Sequence, residues 1–121
     1  MNAFKGCLIL FAVWSIHGFS QVSGAGIPDP VTAQNHTYET LRATFIGHKN
    51  DSAMAALYAN AYVMKGKKEH NAVRIAEGYE MLWGLNRKNR TGLAYSDSII
   101  DLTKDINDNV FPARGYLIKG F

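Results

Sequence analysis

The single cysteine of the chain constrains its fold most, because a chain with one cysteine forms no internal disulfide. Cys7 lies in an apolar run, residues 6–19, which follows a short start carrying Lys5 and precedes the small and polar residues 20–26. This order is typical of a secretory signal peptide. The run of 14 residues is shorter than the roughly 20 that a bilayer span requires, so no transmembrane segment is expected.

We expect cleavage near Gly24 or Ala25, so that residues 1–25 form the signal peptide and residues 26–121 form the mature protein. Loss of Cys7 leaves no cysteine, and the formal net charge falls from +3 to +2. The remaining chain of about 96 residues is long enough for a single domain. We therefore expect a secreted, extracellular domain that is free of disulfides and stabilised by packing alone. An uncleaved N-terminal anchor is the less favoured alternative, because no second apolar run follows.

Three N-x-S/T sequons agree with export, because this motif is the acceptor for N-glycosylation. The acceptor residues are Asn35, Asn50 and Asn89, and none of the motifs has proline in its middle position. All three lie in expected loops or at the ends of expected helices. A glycan must lie on the surface, so each sequon also predicts an exposed side chain.

Apolar residues recur at the 3.6-residue period of a helix in four stretches of the mature chain. The expected helices cover Thr37 to Phe45 or Ile46, Ala53 to Lys65, His70 or Asn71 to Leu85, and Ser96 to just before Asn107. We expect Asp51 or Ser52 to cap the second helix, and Ser96 to cap the fourth. Gly66 is expected to end the second helix, and Gly78 indicates a close approach of the third helix to a neighbour.

The predicted fold is all-α: a small bundle of about four helices. An extended leader over residues 27–30 is expected before the bundle, and an extended C-terminal tail over residues 110–121 after it. The expected core consists of Leu41, Phe45, Leu57, Ala61, Met64, Ile75, Tyr79, Leu82, Trp83, Ile99, Leu102 and Ile106.

Charge is segregated along the chain. Seven Lys or Arg against three Glu lie in residues 65–90, and four Asp against one Lys lie in residues 97–108. The two sets either neutralise each other in the fold or leave a basic surface for an unknown protein, an acidic glycan or a lipid headgroup. The residues expected to form this partner-binding surface are Lys65, Lys67, Lys68, Arg87, Lys88 and Arg90.

The sequence contains no complete motif for catalysis or metal binding. His36, His48 and His70 lack the spacing of a zinc site. The stretch from Asp105 resembles half of a calcium loop, but its sixth position is Val110 instead of glycine. No nucleophile elbow, phosphate loop or nucleic-acid motif is present. We therefore expect no catalytic residue, no metal, no cofactor and no nucleic-acid partner. The acidic stripe Asp97, Asp101 and Asp105 is expected to be a solvated face.

These features favour a small secreted, N-glycosylated helical protein that acts by binding, as a humoral, immune, reproductive or salivary factor would. Two alternatives remain open. Gly66 before Lys67-Lys68 has the form of a processing site, so the chain is alternatively the precursor of a secreted peptide that ends at Lys65. The second alternative is a small ligand carrier or enzyme built in the helical core.

Overall fold

The computed structural model of the protein describes residues 29–120. The predicted signal peptide and its cleavage site lie outside the described residues, as do Cys7 and Phe121. The described part of the chain is all-helical and contains six helices and no strand. The helices are α1 (Pro30–Ala33), α2 (Tyr38–Gly47), α3 (Ser52–Lys68), α4 (Ala72–Leu85), α5 (Arg90–Thr103) and α6 (Ala113–Lys119).

Side-chain caps fix where the first five of these helices begin. The residue before each helix is extended, and its side-chain oxygen accepts a hydrogen bond from a backbone N–H in the first turn. The capping residues are Asp29, Thr37, Asp51, Asn71 and Asn89. The predicted cap at Asp51 is therefore confirmed.

The helices form an antiparallel series. Helices α2 and α3, α3 and α4, and α4 and α5 are neighbours joined by short turns, so that consecutive helices run in opposite directions. Helix α6 packs on α5, and α1 packs on α3. As a result α2 and α4 both lie against α3 and point the same way, and a groove lies between them.

Helix α1 replaces part of the predicted extended leader. Pro30 occupies the first position of this helix, where its missing N–H costs nothing. The Asp29 carboxylate accepts hydrogen bonds from the backbone N–H and the hydroxyl of Thr32, both at 2.9 Å. The expectation of extended backbone at residue 30 was wrong, because the proline is followed by a capped helical turn.

Gly66 does not end α3, contrary to expectation. The helix continues to Lys68, and Gly66 is buried within it. A Cβ at this position would lie 3.0 Å from both Cγ1 and the backbone nitrogen of Ile75. The glycine therefore permits close approach of α4, and its absent side chain is used for packing.

His70 supplies the left-handed residue that terminates α3, with φ of 52°. Its N–H donates to the carbonyl of Lys67 at 3.1 Å, and the N–H of Asn71 donates to the carbonyl of Gly66 at 2.9 Å. This pair of bonds is a Schellman motif, which satisfies the last carbonyls of the helix.

Helix α5 begins six residues earlier than predicted, at Arg90. Ser96 is buried inside this helix, and its hydroxyl donates to the carbonyl of Leu93 at 2.7 Å, so it is not a cap. The helix also ends earlier, at Thr103, before the stretch of Asn and Asp that was expected to end it.

The C-terminal tail is not extended as predicted, because residues 113–119 form α6. Phe111 and Ile118 are buried in a cluster with Ala76 of α4 and Ile99 of α5. Burial of these side chains stabilises a seven-residue helix that has no side-chain cap.

The predicted core is correct in part, since five of its twelve members are buried. Leu41, Ala61, Ile75, Leu82 and Ile99 are buried. The other predicted members are half-buried: Phe45, Leu57, Met64, Tyr79, Trp83, Leu102 and Ile106. The buried hydrophobic residues that the predicted core did not include are Ala33, Ala55, Ala59, Tyr62, Val63, Ala76, Met81, Phe111 and Ile118.

Candidate functional site

The six basic residues of the predicted binding surface fall into two groups. Lys65, Lys67 and Lys68 lie in the last turn of α3, where α4 is about to begin, and we call them the turn patch. Arg87, Lys88 and Arg90 follow the other end of α4. Helix α4 has 14 residues and is therefore about 21 Å long, so the structure does not bring the two groups together.

Within the turn patch, Lys65 differs from its neighbours. Its Nζ lies 3.0 Å from a carboxylate oxygen of Glu69 and 5.2 Å from the ring centre of Tyr38. Lys67 and Lys68 are exposed, and the Nζ of Lys67 is 5.8 Å from the ring centre of Tyr79. Among residues 29–120, no carboxylate lies within 4.0 Å of the amino group of Lys67 or Lys68.

The second basic group lies at the start of α5. Arg87 stacks on Trp83, with its guanidinium carbon 5.4 Å from the ring centre. Lys88 and Arg90 are exposed. This contact with Trp83 fixes the position of Arg87 more firmly than that of its two neighbours.

The three sequon asparagines are exposed. Asn35 and Asn50 lie in turns between helices, and Asn89 lies directly before α5. Asn89 also caps that helix, since its side-chain oxygen accepts the N–H of Gly92 at 3.2 Å. All three side chains are placed where a glycan can be attached.

The acidic residues of the predicted stripe lie on the outside of the molecule. Asp97 pairs with Lys119 of α6, with an oxygen–nitrogen distance of 2.6 Å, and this contact raises the pKa of Lys119. Asp101 and Asp105 are exposed, and Asp105 follows the end of α5. The stripe therefore contributes an inter-helix ion pair and solvated charges.

The three histidines of the mature chain lie apart. His36 and His70 are exposed, whereas His48 is half-buried and stacks on Tyr58 with ring centres 5.8 Å apart. In the part of the chain that the structure describes, no three His, Cys, Asp or Glu side chains come together as metal ligands.

A polar network around Tyr62 joins three helices, and the sequence did not reveal it. The buried hydroxyl of Tyr62 donates to a carboxylate oxygen of Glu77 at 2.5 Å. It accepts hydrogen bonds from Arg42 and Arg74, both at 3.2 Å. Burial raises the pKa of Tyr62, and the hydrogen bond to Glu77 raises it further. The network ties α2, α3 and α4 together at one level of the bundle.

Tyr38 extends these contacts to the turn patch. Its hydroxyl donates to Glu69 at 2.5 Å, and the guanidinium carbon of Arg74 lies 4.7 Å from its ring centre. Burial and the bond to Glu69 raise the pKa of Tyr38, and the same bond, with that from Lys65, lowers the pKa of Glu69. The single acidic side chain of the turn is thus engaged by the protein itself.

An open groove of about 810 Å³ runs between α2 and α4 and is closed along one side by residues 108–114. We call it the α2–α4 groove. Its lining residues are Arg42, Phe45, Ile46, Lys49, Val73, Glu77, Glu80, Met81, Trp83, Gly84, Leu85, Arg87, Asp108, Val110, Phe111 and Arg114. One face of α2 borders the groove, since Arg42, Phe45 and Ile46 are three or four positions apart, whereas the three consecutive residues Trp83, Gly84 and Leu85 line it where α4 ends.

Four charged residues that line the groove form two ion pairs. Arg42 of α2 lies 3.1 Å from Glu77 of α4, and Arg114 of α6 lies 2.6 Å from Glu80 of α4. Asp108 accepts the backbone N–H groups of Val110 and Phe111 at 2.9 and 3.0 Å, and these bonds lower its pKa. Sequence reasoning missed the groove, since its walls come from segments far apart in the chain.

Comparisons of the chain with models of protein families, with curated proteins and with solved structures find no match. None of the helices within residues 29–120 is long and apolar enough to cross a membrane.

Proposed function

We propose that the protein is secreted and N-glycosylated, and that it acts by binding an anionic glycan at the turn patch. The observation that carries this proposal is the pair of exposed lysines, Lys67 and Lys68, at the end of α3. The acidic group nearest in sequence, Glu69, is already bonded to Lys65 and Tyr38. The positive charge of Lys67 and Lys68 is therefore available to a partner.

The surroundings of the turn patch favour a hydrophilic partner. Six large apolar residues of the described chain are more than half exposed, and none belongs to this turn. They are Val31, Ile46, Leu93, Val110, Tyr116 and Leu117. A lipid surface or a protein interface normally uses exposed apolar residues beside the charged ones. Lysines in a turn without such a residue fit a sulfated or carboxylated glycan better.

The helical state of Lys67 and Lys68 favours a folded binding protein over a peptide precursor. Both residues belong to the last turn of α3, where the N–H of Glu69 donates to the carbonyl of Lys65 at 3.0 Å. The preceding Gly66 is packed against Ile75. A protease requires an extended segment, so cleavage here would have to unwind the end of α3 and open its contact with α4.

The groups with shifted pKa values also favour binding over catalysis. Burial and bonds between side chains account for the raised pKa values of Tyr38 and Tyr62. Both hydroxyls are donated to carboxylates that hold helices together. These shifts therefore have a structural cause.

Chromatography on immobilised heparin, a sulfated glycan, tests the proposal. The double variant Lys67→Glu/Lys68→Glu should elute at a clearly lower salt concentration than the wild type, because binding by surface charges is screened by salt. The matched control is Lys88→Glu/Arg90→Glu, which makes the same change in net charge at the other end of α4. Equal shifts in both variants would show a response to net charge alone, and no shift in the first would refute the site.

Mass spectrometry of the natural secretion separates the binding protein from the precursor. The proposal predicts an intact species of about 96 residues that carries glycans on the exposed sequons. Fragments that end at Lys65 would instead support the peptide precursor.

A further inference from the structure

We propose that the α2–α4 groove binds the free carboxylate form of a single-chain amphiphile, such as a long-chain fatty acid. This site lies on the side of α4 that faces α2 and residues 108–114, and it uses none of the turn-patch lysines. Its existence does not depend on the glycan site proposed above.

The size and lining of the groove fit a small amphiphile. Pockets that hold small molecules usually measure about 300–1,000 Å³ and combine apolar walls with a few polar groups. The groove measures about 810 Å³. Its apolar lining comes from three parts of the chain: Phe45 and Ile46 of α2; Val73, Met81, Trp83 and Leu85 of α4; and Val110 and Phe111. Ile46 and Val110 are 52% and 53% exposed. Exposure of these apolar side chains to water is unfavourable, and a bound alkyl chain would cover them.

Gly84 leaves room in this groove. A Cβ built on Gly84 has no atom within 4 Å, in contrast to Gly78, six residues earlier in the same helix. Gly84 lies in the last turn of α4 and lines the groove directly. The space beside it is therefore free of protein atoms for the width of at least one methyl group.

The charges of the groove select the sign of the ligand. Arg42 pairs with Glu77 and Arg114 pairs with Glu80, so these four charges are balanced. The third carboxylate of the lining, Asp108, accepts the backbone N–H groups of Val110 and Phe111, so the lining as a whole has four basic and three acidic side chains. Among the described residues, no carboxylate lies within 4.0 Å of the amino group of Lys49 or the guanidinium of Arg87, although both line the groove.

Lys49 and Arg87 also lie at one end of the groove. Each follows the C-terminal end of its helix, and α2 and α4 point the same way. The Arg42–Glu77 pair marks a common level of the two helices, and both Lys49 and Arg87 follow that level in the chain, each two residues after the last residue of its helix. The two cations of the lining that have no carboxylate partner therefore lie towards the same end of the groove, beyond the Arg42–Glu77 pair.

This polarity places the ligand. Its carboxylate would lie between Lys49 and Arg87, where Trp83 already positions the Arg87 guanidinium. Its alkyl chain would run along Phe45 and Met81 towards Phe111. The acyl chains of a phospholipid in a bilayer lie among the chains of its neighbours and cannot lie along the α2–α4 groove. The free amphiphile therefore fits the groove better than a membrane surface does.

Titration calorimetry with dodecanoate tests the site in the secreted protein. Gly84→Phe adds a large side chain at a groove position where a Cβ meets no protein atom within 4 Å, and it should weaken binding by at least about tenfold. Gly47→Phe is the matched control, because Gly47 is also free of neighbours within 4 Å but does not line the groove. Equal affinities for Gly84→Phe and the wild type would overturn the proposal.

Charge variants test the orientation of the ligand. Arg87→Glu and Lys49→Glu should each weaken dodecanoate binding by about tenfold, whereas Lys88→Glu should leave it within about twofold. Dodecyltrimethylammonium, which has the same chain and the opposite charge, should bind the wild type poorly and Arg87→Glu better. Equal binding of the two amphiphiles would show an unspecific apolar surface and overturn the proposal. Binding only to phosphatidylserine vesicles, without dodecanoate binding, would also overturn it. Thermal melting of each variant establishes that it is folded.

Discussion

Helix α4 carries two glycines six residues apart, and their surroundings are opposite. A Cβ on Gly78 would lie 2.5 Å from Cγ2 of Val63 and 3.1 Å from the backbone nitrogen of Val63, whereas a Cβ on Gly84 would meet nothing within 4 Å. One residue type thus allows close packing against α3 on one side and leaves an open groove on the other. The comparison shows that one side of α4 is closely packed and the other borders open space.

The side that packs on α3 is closed by fixed contacts. Gly66 of α3 meets Ile75 of α4, as Gly78 meets Val63, so each helix contributes a glycine where the other approaches. The hydroxyl of Tyr62 completes the contact through Glu77. A side chain added at either glycine has to displace an atom of the other helix.

The largest expected effect concerns Gly78. Gly78→Val should lower the free energy of unfolding by about 3 kcal/mol, because the added atoms overlap Val63 and its backbone. Urea denaturation measures this. Adding Val63→Ala to this variant should recover part of the lost stability. An unchanged free energy of unfolding in Gly78→Val alone would contradict close packing on this side of α4.

Tyr62→Phe should cost about 1–2 kcal/mol, because Glu77 loses a buried hydrogen-bond donor while Arg42 and Arg74 lose an acceptor. Its control is Tyr58→Phe, on a half-buried tyrosine of the same helix. The network is not the stabilising element proposed here if the two variants unfold at the same urea concentration.

Tyr62 also predicts a pH dependence. Its pKa is raised in the folded state, so the folded protein holds the phenolic proton more tightly than the unfolded chain. The associated stability is complete below the unfolded value of about 10 and is lost as pH rises through the higher folded value. The wild type should therefore lose more stability than Tyr62→Phe between pH 9 and 11. Parallel unfolding curves over that range would contradict the assignment.

The smallest of these effects is expected on the groove side. Arg114→Gln breaks the pair with Glu80, but the Arg114 side chain is 46% exposed, so the loss should be at most about 1 kcal/mol. Addition of salt should weaken the wild type towards the variant. A loss as large as that of Tyr62→Phe would show that the two sides of α4 do not differ.

Local signals in the sequence were sufficient for much of the fold. Helices α2, α3 and α4 each begin at a capping residue and keep an apolar stripe, and both features depend on residues close together in the chain. The close approach at Gly78 was predicted correctly for the same reason, since a glycine within a strong helical pattern needs a neighbour.

The predictions were wrong where contacts between helices determine where a helix begins, ends or forms. Gly66 has the form of a helix stop, yet α3 passes through it to Lys68, and the left-handed residue that follows is His70 instead of a glycine. Ser96 has the form of a cap, yet it lies inside α5. Helix α6 forms because Phe111 and Ile118 find a site on other helices, which no local pattern specifies.

The candidate sites were less predictable than the fold. The sequence predicts a basic surface that includes both the turn-patch lysines and Arg87, but the distance between them depends on the direction of α4. The α2–α4 groove depends on the spacing of two helices that are not neighbours in the chain, and on residues 108–114. Charge counts and spacing contain no information on either arrangement.

One measurement tests the difference between the two sides of α4 most directly: the free energies of unfolding of Gly78→Ala and Gly84→Ala, determined side by side in urea. Alanine is favoured over glycine in a helix by about 1 kcal/mol. With open space around it, Gly84→Ala should stabilise the protein by about that amount. Gly78→Ala should destabilise it by about 1–3 kcal/mol, because the added methyl group overlaps Val63. Changes of the same sign in both variants would contradict a helix with one sealed side and one open side.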